Sequence, residues 1–313
     1  MTWKILISAP YMLPAIDRFS DFFVKNNMEI VPAKVKERLE EEDLLGIVSD
    51  IDGVICGDDR FTDRVLAAAP RLKVIAKWGT GIDSIDKEAA ERRGIRICRT
   101  PDAFTHPVAD SALGYILAFA RRQPWMDAQM KQGIWDKIPG RALNECSLGV
   151  IGVGNTGTAT LRRAKAFGMK LLANDIREIN PNLIEELGVG MVSKDDLFAG
   201  ADFVSINCDL NPTSYRLMGA PQFAAMKKTA VFINLARGPI VDEPALIDAL
   251  QQGLIAGAAL DVFECEPLPR NSPLLKMDNV MTAPHNSNSS PKAWERVHWS
   301  TLNQLLNALN EAA

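Results

Sequence analysis

Cysteine is scarce in this sequence, and the cysteines present have no pattern typical of a structural site. They are odd in number, lie far apart and never form a C-x-x-C pair. This spacing argues against a disulfide framework and against a zinc site, and it predicts a reducing, cytoplasmic environment. We expect most of them to be small buried hydrophobic residues. They are Cys56, Cys98, Cys146, Cys208 and Cys265.

The sequence also lacks a strong charge and a long apolar run. The net charge is −4, and lysines and arginines are never more than two in a row. Neither feature favours nucleic acid or an anionic membrane as a partner. No apolar stretch is long enough for a transmembrane helix. Residues 1–10 resemble a first core strand and not a signal peptide, because they lack a charged leader and a cleavage site.

Strands and helices alternate along the chain, which predicts an α/β fold with parallel sheets covered by helices. The length of 313 residues is enough for two such domains. The predicted strands are 4–9, 28–31, 53–56, 72–76, 95–98, 148–153, 169–173, 202–206, 229–234, 256–261 and 279–283. The predicted helices are 15–25, 35–45, 62–69, 85–93, 158–167, the strongly apolar 110–120, which we expect to be buried nearly all round, and the final 291–309.

A glycine-rich turn follows the apolar run 148–153 and is typical of a dinucleotide site. Gly152 allows the tight turn, Gly154 lets a pyrophosphate approach the backbone, and Gly157 lets helix and strand pack closely. Asp175 ends the next strand, where an acidic residue accepts hydrogen bonds from the ribose hydroxyls. Its charge favours NAD over NADP, although Arg177 could partly offset that preference.

A second glycine-rich turn, residues 77–83, follows the strand 72–76. It lacks the third glycine and is a poor pyrophosphate site. Its N–H groups could instead hold a small carboxylate near the next helix N-terminus, or the segment could simply be a tight turn.

Only three histidines are present, and one of them follows a strand at its carboxyl end, where ligands bind in open α/β folds. This is His285, our candidate general acid or base. Arg237 follows another strand and could clamp a carboxylate. Either Glu264 or Glu266, after a third strand, could pair with the histidine.

Several segments resemble the signature segments of the D-2-hydroxyacid dehydrogenase family, which includes phosphoglycerate dehydrogenase and glyoxylate and hydroxypyruvate reductases. They are residues 79–86, 101–110, 152–157, 234–246, 257–269 and 283–285. The resemblance covers nearly the whole chain. It implies two Rossmann-like domains, with an NAD-binding domain (105–286) inserted into a smaller, flavodoxin-like substrate domain (1–104 and 287–313).

The resemblance also implies roles for individual residues. Arg237 is expected to bind the substrate and polarise its carbonyl, Glu266 to pair with the histidine, and His285 to donate the proton. The substrate carboxylate is expected on the backbone N–H groups of Thr80 and Gly81. The expected cofactor contacts are Gly152, Gly154, Asn155, Thr156, Gly157, Asp175, Cys208, Ala236 and Asp261. Family members commonly form homodimers through the cofactor domain.

One departure from the family pattern bears on the substrate. Phosphoglycerate dehydrogenases tend to have an arginine around Gly57, whereas this chain has Asp58 and retains only Lys77 as a possible phosphate partner. The sequence therefore predicts an NAD-dependent dehydrogenase for a small D-2-hydroxy acid or 2-oxo acid. The alternatives are phosphoglycerate oxidation in serine synthesis and, from a different class, an NAD-sensing protein resembling the C-terminal-binding corepressors. Formate dehydrogenase is less favoured, because its relatives carry Gln at the position of Glu266.

Overall fold

The structure, a computed structural model, describes residues 2–312, and the chain divides into two compact units. Unit 1 contains residues 2–104 and 289–312, and unit 2 is Thr105–Asn288. The boundaries predicted from the sequence were 104/105 and 286/287. The first boundary of the structure lies at the same place and the second lies two residues later. Unit 1 is thus built from the two ends of the chain, and unit 2 is continuous.

Unit 1 is a parallel five-stranded sheet with the strand order β2-β1-β3-β4-β5. Its strands are β1 (Trp3–Ile7), β2 (Met28–Pro32), β3 (Gly53–Cys56), β4 (Val74–Lys77) and β5 (Arg96–Cys98). Its helices are α1 (Ser20–Lys25), α2 (Glu41–Leu45), α3 (Asp63–Ala67), α4 (Lys87–Arg92) and the final helix Pro291–Glu311. The final helix packs apolar residues such as Leu302 and Leu305 into the core that contains Ile5 and Ile7 of β1.

Two predicted helices of unit 1 differ most from the structure. The segment 15–25 is divided into a 3-10 helix, Leu13–Phe19, and α1. Of the segment 35–45 only α2 is helical. The cause is tertiary, because the N–H of Leu39 donates to the carboxylate of Asp59 at 2.6 Å. A backbone N–H that bonds twenty residues ahead is not available to a local helix.

Unit 2 is a parallel seven-stranded sheet with the order β12-β11-β10-β9-β6-β7-β8. Its strands are β6 (Ser147–Ile151), β7 (Lys170–Asn174), β8 (Gly190–Met191), β9 (Phe203–Ile206), β10 (Val231–Asn234), β11 (Gly257–Leu260) and β12 (Val280–Thr282). Its helices are α5 (Thr105–Arg121), α6 (Gln123–Lys131), α7 (Asn155–Ala166), α8 (Pro181–Leu187), α9 (Lys194–Gly200), α10 (Ala220–Ala225) and α11 (Glu243–Gln251). The central strands are buried on both faces, as expected for a parallel sheet. The predicted α/β fold with two Rossmann-like sheets is confirmed.

The apolar helix α5 is longer than predicted and is not buried all round. Its buried side chains, among them Ala109, Leu113 and Ile116, share one face at helical spacing. Asp110 and Gly114 are exposed in the single chain. The sequence prediction was wrong here because apolar residues at half-buried positions concealed the helical period.

The cysteines and the helices agree with two further expectations. Cys56, Cys98 and Cys146 are buried, as predicted for small hydrophobic residues, and all five cysteines are free thiols. Among residues 2–312, no helix combines the length and the apolar character needed to cross a membrane.

Candidate functional site

The turn between β6 and α7 requires its glycines. Gly152 has a φ of 95°, and a Cβ there would lie 2.6 Å from the backbone nitrogen of Cys208. A Cβ on Gly157 would lie 2.0 Å from the carbonyl oxygen of Gly152. Both positions therefore exclude any larger residue. At Gly154, by contrast, the nearest atom to such a Cβ is 4.0 Å away, so the backbone is open to a ligand.

The first turn of α7 offers unused hydrogen-bond donors. Within residues 2–312, the N–H groups of Asn155, Thr156 and Gly157 donate to no acceptor. Free N–H groups at a helix N-terminus, together with the positive end of the helix dipole, bind phosphate groups well. The turn and this helix start therefore fit the diphosphate of a dinucleotide.

Asp175 lies directly after β7, beside that turn. One carboxylate oxygen accepts the N–H of Val153 at 2.7 Å, and the other accepts the backbone N–H of Arg177 at 2.8 Å. Burial works to raise the pKa of Asp175, but the Arg177 side chain and these N–H groups outweigh it and lower that pKa. The carboxylate is therefore charged and rigidly placed, as an acceptor for ribose hydroxyls must be.

Cys208 faces the glycine turn from the end of β9. It is half-buried, and burial raises the pKa of its thiol to about 11. The thiol is therefore neutral near pH 7 and offers an apolar surface. A neutral thiol suits the predicted contact between Cys208 and the cofactor. The cofactor contacts of Cys208 and Ala236 stay predictions.

Arg237, Glu266 and His285 follow three neighbouring strands of the unit 2 sheet. β10 pairs with β11 and β11 with β12, all in parallel. The carboxyl ends of parallel strands lie on the same edge of a sheet, which is where ligands bind in open α/β folds. The fold thus brings to one edge three residues that are separated by 48 positions in the sequence.

His285 is paired with Glu266. Its Nδ1 lies 3.1 Å from Oε2 of Glu266, and Oε1 of the same carboxylate accepts the N–H of Phe263 at 2.9 Å. Both side chains are largely buried, with exposed fractions of 18% and 14%. Glu264, the alternative that the spacing left open, instead lies near the N–H of Glu243. The geometry therefore selects Glu266.

Asp261 fixes the backbone around His285. The residue is buried, its carbonyl accepts the N–H of His285 at 2.8 Å, and its two carboxylate oxygens accept the N–H groups of Asn286 at 2.7 Å and Ser287 at 2.8 Å. These bonds hold His285 in the left-handed region at a φ of 50°. The sequence assigned Asp261 to the cofactor and did not reveal this anchoring role. The available signal was an aspartate ending a buried strand.

Asn234 gives similar support to the Arg237 loop. Its side chain accepts the N–H of Ala236 at 3.1 Å and donates to the carbonyl of Arg237 at 2.9 Å. It is 1% exposed. The sequence reasoning missed this residue, although an asparagine at the end of an apolar strand is typical of such a local turn.

Gly238 allows the Arg237 loop to lie against the loop that carries Glu266. A Cβ at this position would lie 1.8 Å from the carbonyl oxygen of Phe263 and 2.6 Å from the nitrogen of Glu264. Both are backbone atoms and cannot rotate away. The small size of Gly238 therefore sets how closely the two loops approach.

The other two histidines have different surroundings. His298 is buried in unit 1 and accepts the indole N–H of Trp78 at Nδ1, at 2.9 Å. Burial lowers its pKa, in keeping with a neutral structural residue. His106 lies in the first turn of α5, 3.4 Å from the guanidinium of Arg163.

The predicted carboxylate loop lies in unit 1, after β4. Thr100 fixes it by donating to the carbonyl of Gly79 at 2.8 Å and accepting the hydroxyl of Thr80 at 2.9 Å. In the described part of the chain the N–H groups of Thr80 and Gly81 donate to no acceptor. The loop is not at a helix N-terminus as expected, because α4 starts only at Lys87. A turn at 83–84 intervenes.

Lys77, the third residue predicted to bind substrate, ends β4. Its side chain is 5% exposed, and its ammonium lies 2.9 Å from the carboxylate of Asp58. The lysine is therefore engaged within unit 1.

Sequence and structure comparisons with known proteins point to one family. The model of the D-isomer specific 2-hydroxyacid dehydrogenase NAD binding domain matches residues 113–287. The D-3-phosphoglycerate dehydrogenase of Methanocaldococcus jannaschii is 40% identical over 93% of this chain and 54% of its own length. The chain therefore spans about half of that relative. The glyoxylate reductase of Thermofilum pendens is 40% identical over 82% of this chain and 78% of its own length.

The chain belongs to the D-2-hydroxyacid dehydrogenase family. A crystal structure of D-lactate dehydrogenase from Aquifex aeolicus, complexed with NAD and lactic acid, matches 99% of this chain and 96% of its own, with a TM-score of 0.89 and 25% identity. The predicted family is thereby confirmed. It is a family of NAD-dependent oxidoreductases acting on CH–OH donors, and unit 2 contains its NAD-binding domain.

Proposed function

We propose that this chain interconverts a small 2-oxo acid and the corresponding D-2-hydroxy acid with NAD(H). The observation that supports this best is the His285–Glu266 pair, which lies at the same sheet edge as Arg237 in the NAD-binding unit. A dehydrogenase of this kind needs a group that moves one proton and a cation that holds the substrate. These side chains are of the right types for both tasks.

The cofactor is assigned to the glycine turn of unit 2. The free N–H groups at the start of α7 would hold the diphosphate, and Asp175 would accept the ribose hydroxyls. Cys208, Ala236 and Asp261 are proposed as further contacts. Bound NADH supplies the hydride for the carbonyl carbon.

Arg237 and His285 are proposed to act on the substrate, and Glu266 to act through His285. Arg237 binds the carboxylate and polarises the carbonyl bond. His285 donates the proton that the carbonyl oxygen takes up as the hydride reaches carbon, which completes the hydroxyl group. Glu266 at Nδ1 fixes the ring tautomer and stabilises the protonated ring, so the mobile proton is on Nε2. The N–H groups of Thr80 and Gly81 are proposed to bind the carboxylate as well.

The variant His285→Gln tests this proposal. Loss of a general acid should lower kcat by about 10²-fold or more, measured as NADH oxidation with glyoxylate, hydroxypyruvate and branched 2-oxo acids. NADH binding, followed by fluorescence, should not change. His106→Gln is the matched control, since it alters an exposed histidine of the same unit and should leave kcat unchanged. A His285→Gln enzyme within about threefold of wild type would refute the role of His285.

A phosphorylated substrate is the second candidate, because one 40%-identical relative is named a D-3-phosphoglycerate dehydrogenase.

The predicted homodimer and the cytoplasmic location stay predictions. The exposed Gly114 and half-buried Tyr115 and Leu117 of α5 are the surface on which a second copy would be sought. Sedimentation of the purified protein would test the dimer.

A further inference from the structure

The carboxyl edge of the unit 1 sheet carries an unusual group of charges beside the carboxylate loop. Lys77 is the last residue of β4, and Asp58 and Asp59 follow the neighbouring strand β3. Thr80 is only three residues beyond Lys77, a distance of about 10 Å at most. An acid held by its carboxylate at Thr80 and Gly81 would therefore lie within about 10 Å of this group of charges, which is near enough for them to act on its tail.

The positive charge of Lys77 is already compensated by a neighbouring carboxylate. Its ammonium is buried and lies 2.9 Å from Asp58, whose side chain is 25% exposed. A buried ammonium with a carboxylate in contact gains little from a further anion, and moving it to a ligand would leave Asp58 without its partner. Lys77 is thus not available as a phosphate ligand.

Asp59 adds a second negative charge. Its side chain is fully buried and accepts the N–H of Leu39 and the hydroxyl of Ser8. Burial raises its pKa to about 6, so it is mostly ionised at neutral pH. Glu37, whose carboxylate lies within 4.8 Å of that of Asp58, adds a third negative charge. Three carboxylates and one ammonium leave this edge with a net negative charge.

Nearby cations do not reverse that charge. Arg60 is directed at Glu40, at 4.0 Å. Arg99 donates to the carbonyl of Thr80 at 3.2 Å, but its side chain is exposed and so largely screened by solvent. The next residue after Lys77 is the buried Trp78, which stacks on Tyr11 with ring centroids 5.1 Å apart. Aromatic surroundings increase the cost of an unpaired charge.

We infer that the substrate is a 2-hydroxy or 2-oxo acid with an uncharged tail, and that the Asp58–Lys77 pair excludes phosphorylated acids. This inference rests on the proposed function for the position of the substrate carboxylate. A phosphate ester carries about −1.5 to −2 charges at pH 7. At the end of β4 the phosphate would face a sheet edge with a net negative charge, where the Lys77 ammonium is already ion-paired with Asp58.

D-Glycerate and 3-phosphoglycerate are a matched pair of probes, because they differ only by the phosphate. Each is titrated by calorimetry into the full-length protein with NADH bound, where no hydride can be transferred because cofactor and acid are both reduced. We expect D-glycerate to bind at least about tenfold more tightly than 3-phosphoglycerate. The variant Asp58→Asn, which releases the charge of Lys77, should reduce that ratio about tenfold.

Two controls separate this effect from loss of structure. Asp50→Asn breaks a similar ion pair with Lys4, 2.5 Å long, before β3 at the opposite end of the strand, and should leave the ratio unchanged. The double variant Asp58→Asn, Lys77→Met removes both charges and should restore the wild-type ratio, even if the single variant folds poorly. The preference of the wild-type protein for D-glycerate can be measured without any variant, so this part of the test does not depend on how the variants fold.

The inference is overturned if 3-phosphoglycerate binds wild type as tightly as D-glycerate, if Asp58→Asn leaves the ratio unchanged, or if neither acid binds. If D-glycerate binds preferentially but no 2-oxo acid supports NADH oxidation, the proposed function fails, while the preference of this site for acids without a phosphate stands. The two failures are therefore distinguishable.

Discussion

The buried carboxylate of Asp59 should destabilise unit 1 at neutral pH. Its ordinary pKa is 3.8, and burial raises it to about 6 in the folded protein. Between these values the folded state binds more protons than the unfolded state, so stability falls as pH rises. The loss begins near the lower value and is complete above the higher one. Asp59→Asn removes the charge and keeps the shape.

The structure gives the size of this effect. A folded pKa about two pH units above the unfolded one corresponds to about 3 kcal/mol, since each unit is worth about 1.4 kcal/mol. The hydrogen bonds should survive the substitution. The amide oxygen can accept the N–H of Leu39, and the amide nitrogen can donate to Ser8, whose hydroxyl also lies 3.4 Å from the carbonyl of Ile55. We therefore expect Asp59→Asn to be more stable than wild type above about pH 7.

Urea unfolding at several pH values measures this difference. Four of the six tryptophans, Trp3, Trp78, Trp294 and Trp299, lie in unit 1, so tryptophan fluorescence reports mainly on that unit. The stability advantage of Asp59→Asn should grow by about 2–3 kcal/mol between about pH 4 and pH 8. Other titrating groups such as His298 are present in both proteins and cancel. An advantage that does not change with pH would refute the reasoning.

Two further predictions concern the NAD-binding unit. Asp175→Ala should weaken NAD binding by about tenfold or more. It should also move the preference toward NADP, because Arg177 loses its partner and can bind a 2′-phosphate. Equal losses of affinity for both cofactors in fluorescence titrations would contradict this. Gly238→Ala should lower the free energy of unfolding by more than about 2 kcal/mol, because the new methyl group meets the carbonyl of Phe263. Gly46→Ala is the control, because Gly46 is exposed, has a right-handed helical backbone and would place a Cβ in ordinary contact with the carbonyl of Asp43, at 3.5 Å. It should be neutral or slightly stabilising when urea unfolding is measured for both variants; a similar loss in both would count against the packing argument.

The strand-end residues could be predicted from sequence because parallel sheets place them by rule. Apolar runs identify β10, β11 and β12, and polar residues just after such runs must lie on one edge. The place of Arg237 and His285 at this edge was predicted in this way. The glycine turn was found because its spacing reflects backbone contacts that only glycine permits.

What could not be predicted depends on contacts between distant parts of the chain. The segment before α2 has helical composition, yet Leu39 bonds to Asp59 and the helix starts only at Glu41. Spacing alone left Glu264 and Glu266 open, and only the family resemblance favoured Glu266, whose carboxylate the structure places 3.1 Å from the His285 ring. Likewise, no local pattern shows that Asp58 neutralises Lys77, because the pair forms across two strands.

The final helix has a consequence for the order in which the protein is made. Unit 2 is one uninterrupted stretch, and the strands of both sheets precede residue 289 in the chain. Unit 1 has its sheet early, but Val297, Leu302, Leu305 and Leu309 of its core are translated after the whole of unit 2. During synthesis the first sheet must therefore wait with an uncovered apolar face. A chain that ends at Ser290 should fold its second unit, whereas its first unit should expose apolar surface and depend on chaperones.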